Sequence, residues 1–186
     1  MSRINQLLQN YRRHVSLPLR TNTASAQRIW FAVYPPDDER RLQHRLQEFE
    51  LATRESPNRL SWHLIDLHGR LAEWFAAEDP EDLKTWFAHP EDIELYARSQ
   101  WKDRLANIIK SEISALPDAE RTVVALAGLM ELFDFLEVSE VLETLERAVP
   151  GYLLLFFPGE REGNVYRFLC ARDGWDYLAV PIVADR

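Results

Sequence analysis

Cysteine is almost missing from this chain: Cys170 is the single one in 186 residues. One thiol forms no internal disulfide and builds no all-cysteine metal site. Lysine is nearly as scarce, with only Lys84, Lys102 and Lys110, so 19 of the 22 basic residues are arginine. Glycine occurs six times. A Walker loop needs glycine amides around a phosphate and a lysine that reaches it, and a dinucleotide site needs Gly-x-Gly-x-x-Gly. Neither pattern is present. A Gly-x-Ser-x-Gly elbow is missing too, as is the Glu-x-Lys tripeptide of one nuclease class. No apolar run approaches the ~20 residues of a membrane helix. Arg12-Arg13-His14 interrupts the N-terminal stretch before a signal-type apolar core can form. The expected compartment is the cytoplasm.

What the chain does have is ordinary for a globular protein: 46% hydrophobic and 28% charged residues. Its length suits one domain over 1–186 with a full core. Charge is uneven. Residues 1–28 hold Arg3, Arg12, Arg13, Arg20 and Arg28 and no acid, so the remainder carries −13 against the segment's +5, for −8 in all. A net acidic body repels phosphate backbones, which argues against broad nucleic-acid binding. The basic N-terminal helical arm, 1–27, either touches nucleic acid through Arg12 and Arg13, contacts an acidic partner, or lies back on its own acidic body.

Hydrophobic spacing gives the elements. Ile4, Leu7, Leu8, Tyr11 and Val15 mark one face of a helix over 3–15. Residues 28–34 form a strand ended by Pro35-Pro36, and Asp37-Asp38-Glu39 opens a helix carrying Leu42, Leu46 and Phe49. A second strand spans 60–67. The middle is helical: Leu71, Trp74 and Phe75, then Leu83, Trp86 and Phe87, then a long helix to about Leu116 with Ile93, Ala97, Trp101, Leu105, Ile108, Ile109 and Ile113 as its apolar positions. Residues 122–127 form a third strand, and a helix over 138–149 follows, with Ser139 as its N-cap. Leu153-Leu-Leu-Phe-Phe157 is too unbroken for a half-exposed strand, so it reads as a central strand stopped by Pro158-Gly159. Strands at 165–170 and 177–183 close the chain. The alternation implies a three-layer αβα fold with a mainly parallel sheet and an antiparallel C-terminal edge. It is nucleotide-fold-like without the nucleotide motifs.

Candidate chemistry is thin. His63, Asp66 and His68 sit near the end of the second strand, but His63 and Asp66 face opposite sides of an extended strand. Asp173 and Asp176 flank Gly174-Trp175, first of all a turn signal. Asp66, Asp173 and Asp176 are the residues of a metal-dependent hydrolase reading. Cys170 lies near Arg167 and Arg172, which favours a thiolate, yet it reads first as a small core residue. Aromatics near strand ends, with arginine, suit a protein-binding surface. The loops after the first and fourth strands would form it: Tyr34, Pro35, Pro36, Asp37, Asp38 and Glu39 on one side, Pro158, Gly159, Glu160 and Arg161 on the other, with Trp175.

Four segments carry a family resemblance: Trp30-Phe-Ala-Val-Tyr-Pro-Pro-Asp-Asp-Glu-Arg40, Trp62-His-Leu-Ile-Asp-Leu67, Val123-Val-Ala-Leu-Ala-Gly-Leu-Met-Glu-Leu-Phe133, and Leu153-Leu-Leu-Phe-Phe-Pro-Gly-Glu160 with the closing Tyr177-Leu-Ala-Val-Pro-Ile182. Together they resemble the BrxB family of bacterial BREX phage-defence systems, from about residue 28 to 183. The resemblance implies a non-catalytic accessory or scaffold protein without a cofactor or active-site residues. It would work through protein–protein contact beside a methyltransferase, large ATPases and a PglZ protein, with PglZ the first partner to test. A metal-dependent hydrolase and a DNA-contacting subunit are the alternatives.

Overall fold

Alternation of apolar residues on two-sided strands explains the architecture. The structure, a computed structural model, describes residues 2–18, 25–132, 135–169 and 174–184; the side chains at 25, 92–97 and 175 are not described. The helices are α1 (Arg3–Val15), α2 (Glu39–Gln43), α3 (Leu46–Arg54), α4 (Arg70–Ala77), α5 (Pro80–Ala88), α6 (Pro90–Ser114) and α7 (Val138–Ala148). The strands are β1 (Ile29–Tyr34), β2 (Ser61–Asp66), β3 (Thr122–Ala127), β4 (Tyr152–Glu162), β5 (Val165–Phe168), β6 (Trp175–Asp176) and β7 (Val180–Val183). The central sheet runs in the order β2-β3-β4-β1-β7, with every neighbouring pair parallel. The protein is therefore α/β, with helices covering both faces of a mostly parallel sheet.

Each central strand feeds two cores. Ile29, Phe31 and Val33 of β1, Val124 and Leu126 of β3, and Leu153, Leu155 and Phe157 of β4 pack with residues of α4, α5, α6 and α7. The alternate residues, Trp30, Ala32 and Tyr34, Val123, Ala125 and Ala127, and Leu154 and Phe156, pack with α1, α2 and α3. This is why β1, β3 and the first part of β4 show unbroken apolar runs. The edge strand β2 is only half-buried and reads as mixed. On the first face Trp74 and Trp101 stack with ring centroids 5.6 Å apart, and Trp86 closes the group. On the second, the buried Tyr11 hydroxyl meets Thr53 Oγ1 at 2.5 Å, tying α1 to α3.

The connections obey one handedness. From β1 the chain moves across the sheet to β2 over the α2/α3 face. The moves β2 to β3, β3 to β4 and β4 to β7 run the other way, over the opposite face. Reversing both direction and face keeps the same hand, as right-twisted strands require.

Four local expectations need correction. Pro158-Gly159 does not stop β4, which continues to Glu162 and turns through 163–164 to pair antiparallel with β5. Pro158 stands opposite Tyr34, the last pair of the β1 ladder, so its missing N–H falls where that ladder ends. The last strand is not antiparallel: β5 and β6 form the antiparallel extension, while β7 lies parallel beside β1. The helix after β1 begins with a 3-10 turn, Pro36–Asp38, and breaks into α2 and α3, where the Arg45 N–H bonds the Leu42 carbonyl at 2.8 Å. The N-cap of α7 is Glu137, not Ser139: Glu137 has the extended backbone a cap needs and shares a capping box with Glu140. Phe133, Cys170, Arg172, Asp173 and the Ile93 and Ala97 side chains lie outside what is described. Among the described residues no helix is long and apolar enough to cross a membrane.

Candidate functional site

The ends of β1, β4 and β7 leave a crevice of about 470 Å³. Its floor is Val33, Tyr34 and Gly159, all buried. Its rim is Pro35, Pro36, Glu160, Arg161, Leu169, Val183 and Ala184, with Arg3 reaching in from the first turn of α1. The position follows from topology. The connection from β1 leaves over one face of the sheet and that from its neighbour β4 over the other, and the separation opens a gap at the carboxyl ends.

Six of the expected contact residues meet here: Tyr34, Pro35, Pro36, Gly159, Glu160 and Arg161. Pro158 lies inside β4, in register with Tyr34. Glu160 to Asn164 are all exposed and form the projecting part of the β4–β5 hairpin. Trp175 belongs to β6, which pairs with β5. Arg12 and Arg13 are exposed on the last turn of α1, at the opposite end of that helix from Arg3. The sequence reading missed Arg3, Leu169, Val183 and Ala184. The signal for the last two was the parallel placement of β7, which a short link from β6 obscured.

The acidic turn after β1 does not face the crevice. Asp37 is exposed outside the lining. Asp38 is buried and takes the Arg41 guanidinium at 2.6 Å. Glu39 accepts the Tyr34 hydroxyl at 2.5 Å on one oxygen and lies 3.0 Å from His68 Nε2 on the other. His68 Nδ1 lies 2.5 Å from Asp66 Oδ1, which also accepts the His68 backbone N–H at 3.1 Å. Tyr34, Glu39, His68 and Asp66 therefore form one chain that fastens the turn after β1 to the turn after β2. Gly128, at φ 78°, closes it: a Cβ there would sit 2.7 Å from the His68 backbone nitrogen.

Electrostatics define what this chain can do. Hydrogen bonding to Glu39, then to Asp66, holds the His68 pKa above its ordinary value against the opposing effect of burial. In the protonated ring both N–H groups donate, one to each carboxylate, so no ring nitrogen is left as a base. Burial, followed by the Glu39 charge and hydrogen bond, pushes the Tyr34 phenol well up, so it stays a donor. The arrangement is a hydrogen-bonded clip in which one histidine bridges two carboxylates.

The expected metal residues do not gather. His63 pairs with Glu112 of α6 at 2.9 Å, Asp66 belongs to the clip, and Asp176 is exposed on β6. β6 joins the sheet only through β5 and β4, whereas Asp66 ends the edge strand β2. Among the described residues no group of three His, Cys, Asp or Glu side chains is placed to hold a metal ion. No protein-family model matches the chain, and neither a curated protein nor a solved structure shows significant similarity to it.

Proposed function

We propose that the protein is a non-catalytic adaptor of a BREX-type phage-defence complex, working by protein–protein contact with a PglZ-like partner. One observation carries the contact surface: the turn after β1 and the β4–β5 hairpin form one ridge around the crevice. The hairpin presents five consecutive exposed residues, Glu160 to Asn164. Pro35 and Pro36 have fixed φ angles, so ordering them on a partner costs little entropy. The clip fastens their turn from behind. The four-segment resemblance supports the choice of partner, since its first and last segments contribute to this ridge.

The test is capture of a PglZ-like protein, sought among the gene products encoded beside this chain, by the tagged wild type and by Glu160→Lys/Arg161→Glu. Both positions are exposed, so the variant folds. The wild type is expected to retain the partner and the variant to lose most of it. Failure of the wild type to retain any neighbouring gene product, or equal retention by the variant, rejects the reading.

A further inference from the structure

The crevice has features that a protein-contact ridge does not require. It is enclosed by three strand ends and one helix. Its volume of about 470 Å³ falls within the ~300–1,000 Å³ of small-molecule sites. Its charge also departs from that of the body. Among the described residues that line it, Arg3 and Arg161 are the cations and Glu160 is the single carboxylate, in a chain of net charge −8. Arg3 and Arg161 form no ion pair among the described residues. Arg161 is held 5.9 Å over the Tyr166 ring, which limits its freedom before anything binds. The acids of the neighbouring turn are engaged elsewhere, Asp38 with Arg41 and Glu39 with Tyr34 and His68.

We propose that this crevice binds a small anionic molecule of about mononucleotide size. Its single phosphate or carboxylate group would lie between Arg3 and Arg161, and its planar or apolar body against Pro35, Pro36, Leu169 and Val183. Two arginines from different elements line the crevice, and each can offer charge-assisted donors. Among the described residues no nest of glycine amides lines the crevice, so they offer a polyphosphate chain no cradle. Gly159 does not supply one, since a Cβ there would meet the Arg167 carbonyl oxygen at 2.1 Å; its smallness serves β4–β5 pairing. The ligand would share Pro35, Pro36 and Arg161 with the contact ridge, and Arg3, which lies outside that ridge, separates the two readings.

The experiment follows amide NMR signals of Tyr34, Gly159 and Arg161 and the melting temperature of the full chain. The probes are AMP, phenylacetate and uncharged adenosine. AMP or phenylacetate is expected to shift these signals and raise the melting temperature, and their contrast separates a phosphate from a carboxylate preference. Adenosine is expected to do neither. Arg3→Ala and Arg161→Ala should each weaken the bound anion about 10–100-fold, the worth of one charged hydrogen bond. Glu160→Gln should tighten it, because it removes an opposing carboxylate from the lining. All three positions are exposed, and unchanged circular dichroism verifies folding. The proposal is overturned if neither anion shifts the signals at about 10 mM, which would populate even a millimolar site. It is equally overturned if adenosine binds as well as AMP, or if binding survives in the Arg3→Ala/Arg161→Ala double variant. Partner capture by Arg3→Ala should be unchanged, so the two readings fail separately.

Discussion

His68 stands between Glu39 and Asp66, and its protonation state sets the strength of the clip. Its folded pKa is raised, so the stability it contributes is fully present below its ordinary value of about 6.5 and is lost as pH rises through the folded value. His14 has the opposite sign. Burial lowers its pKa beside the Trp30 ring, 4.7 Å away, so charging it costs stability as pH falls below that same ordinary value. A bulk stability curve mixes the two, so the check is residue-resolved NMR titration. His68 should titrate above the free-histidine value and His14 below it. Glu39→Gln should return His68 towards the free value while leaving His14 where it was. Titration of His68 at the free value in the wild type would dismiss the clip. At this scale the sequence showed less than the fold holds. His63, Asp66 and His68 were visible as a group, and the opposed faces of His63 and Asp66 were correctly read. Glu39 was not connected to them, because β1 and β2 are adjacent in sequence but have two strands, β3 and β4, between them in the sheet. No local spacing reports a contact made across that distance.

The strand β4 shows how one element can be legible in part. Its first half was read correctly from Leu153 to Phe157 because two-sided burial leaves an apolar run. Its second half was hidden by Pro158-Gly159, which has the composition of a turn. The physical demand there is different. Pro158 ends the β1 ladder, and Gly159 admits the carbonyl of Arg167 on β5 where a side chain has no room. Gly159→Ala is therefore expected to cost about 1–3 kcal/mol by overpacking against backbone, measured as a lower urea midpoint. Loss should concentrate in the hairpin, with faster hydrogen exchange at Tyr166 and Arg167. A variant as stable as the wild type would show that β5 can step aside. The core half of the strand responds otherwise: Phe157→Ala removes a fully buried ring and should cost about 3–5 kcal/mol, with global rather than local loss of exchange protection. The closing strand was misjudged for a related reason. A short link ordinarily means an antiparallel neighbour, but the chain crosses to the far side of β1 through β5 and β6, and β7 completes the parallel order.

The N-terminal helix decides how the whole molecule carries its charge. Composition alone made residues 1–27 a basic arm, free to reach a nucleic acid or to fold back. The apolar face of α1 is in fact a layer of the core: Ile4, Leu7, Leu8, Tyr11 and Val15 are all buried against α3, β1 and β7. Burying five such side chains contributes on the order of 7–15 kcal/mol as an upper bound, comparable with the whole net stability of about 5–15 kcal/mol of a domain. A chain beginning at Ser16 is therefore expected to lose cooperative unfolding altogether. The charged face is separable from this role. Arg12 and Arg13 are exposed, and Arg12 contributes to holding the Glu48 carboxyl low, after the closer hydrogen bond from Arg45. Arg12→Ala/Arg13→Ala should change stability by less than about 0.5 kcal/mol, as surface substitutions do. That makes the double variant a clean probe of the nucleic-acid alternative. Arg12 already acts on Glu48 of its own body, so the wild type should bind duplex DNA no more strongly than the folded variant at about 0.15 M salt, where exposed charges are screened beyond ~8 Å. A salt-sensitive affinity that the wild type has and the variant loses would instead assign the outer face of α1 to DNA, while its inner face continued to hold the sheet.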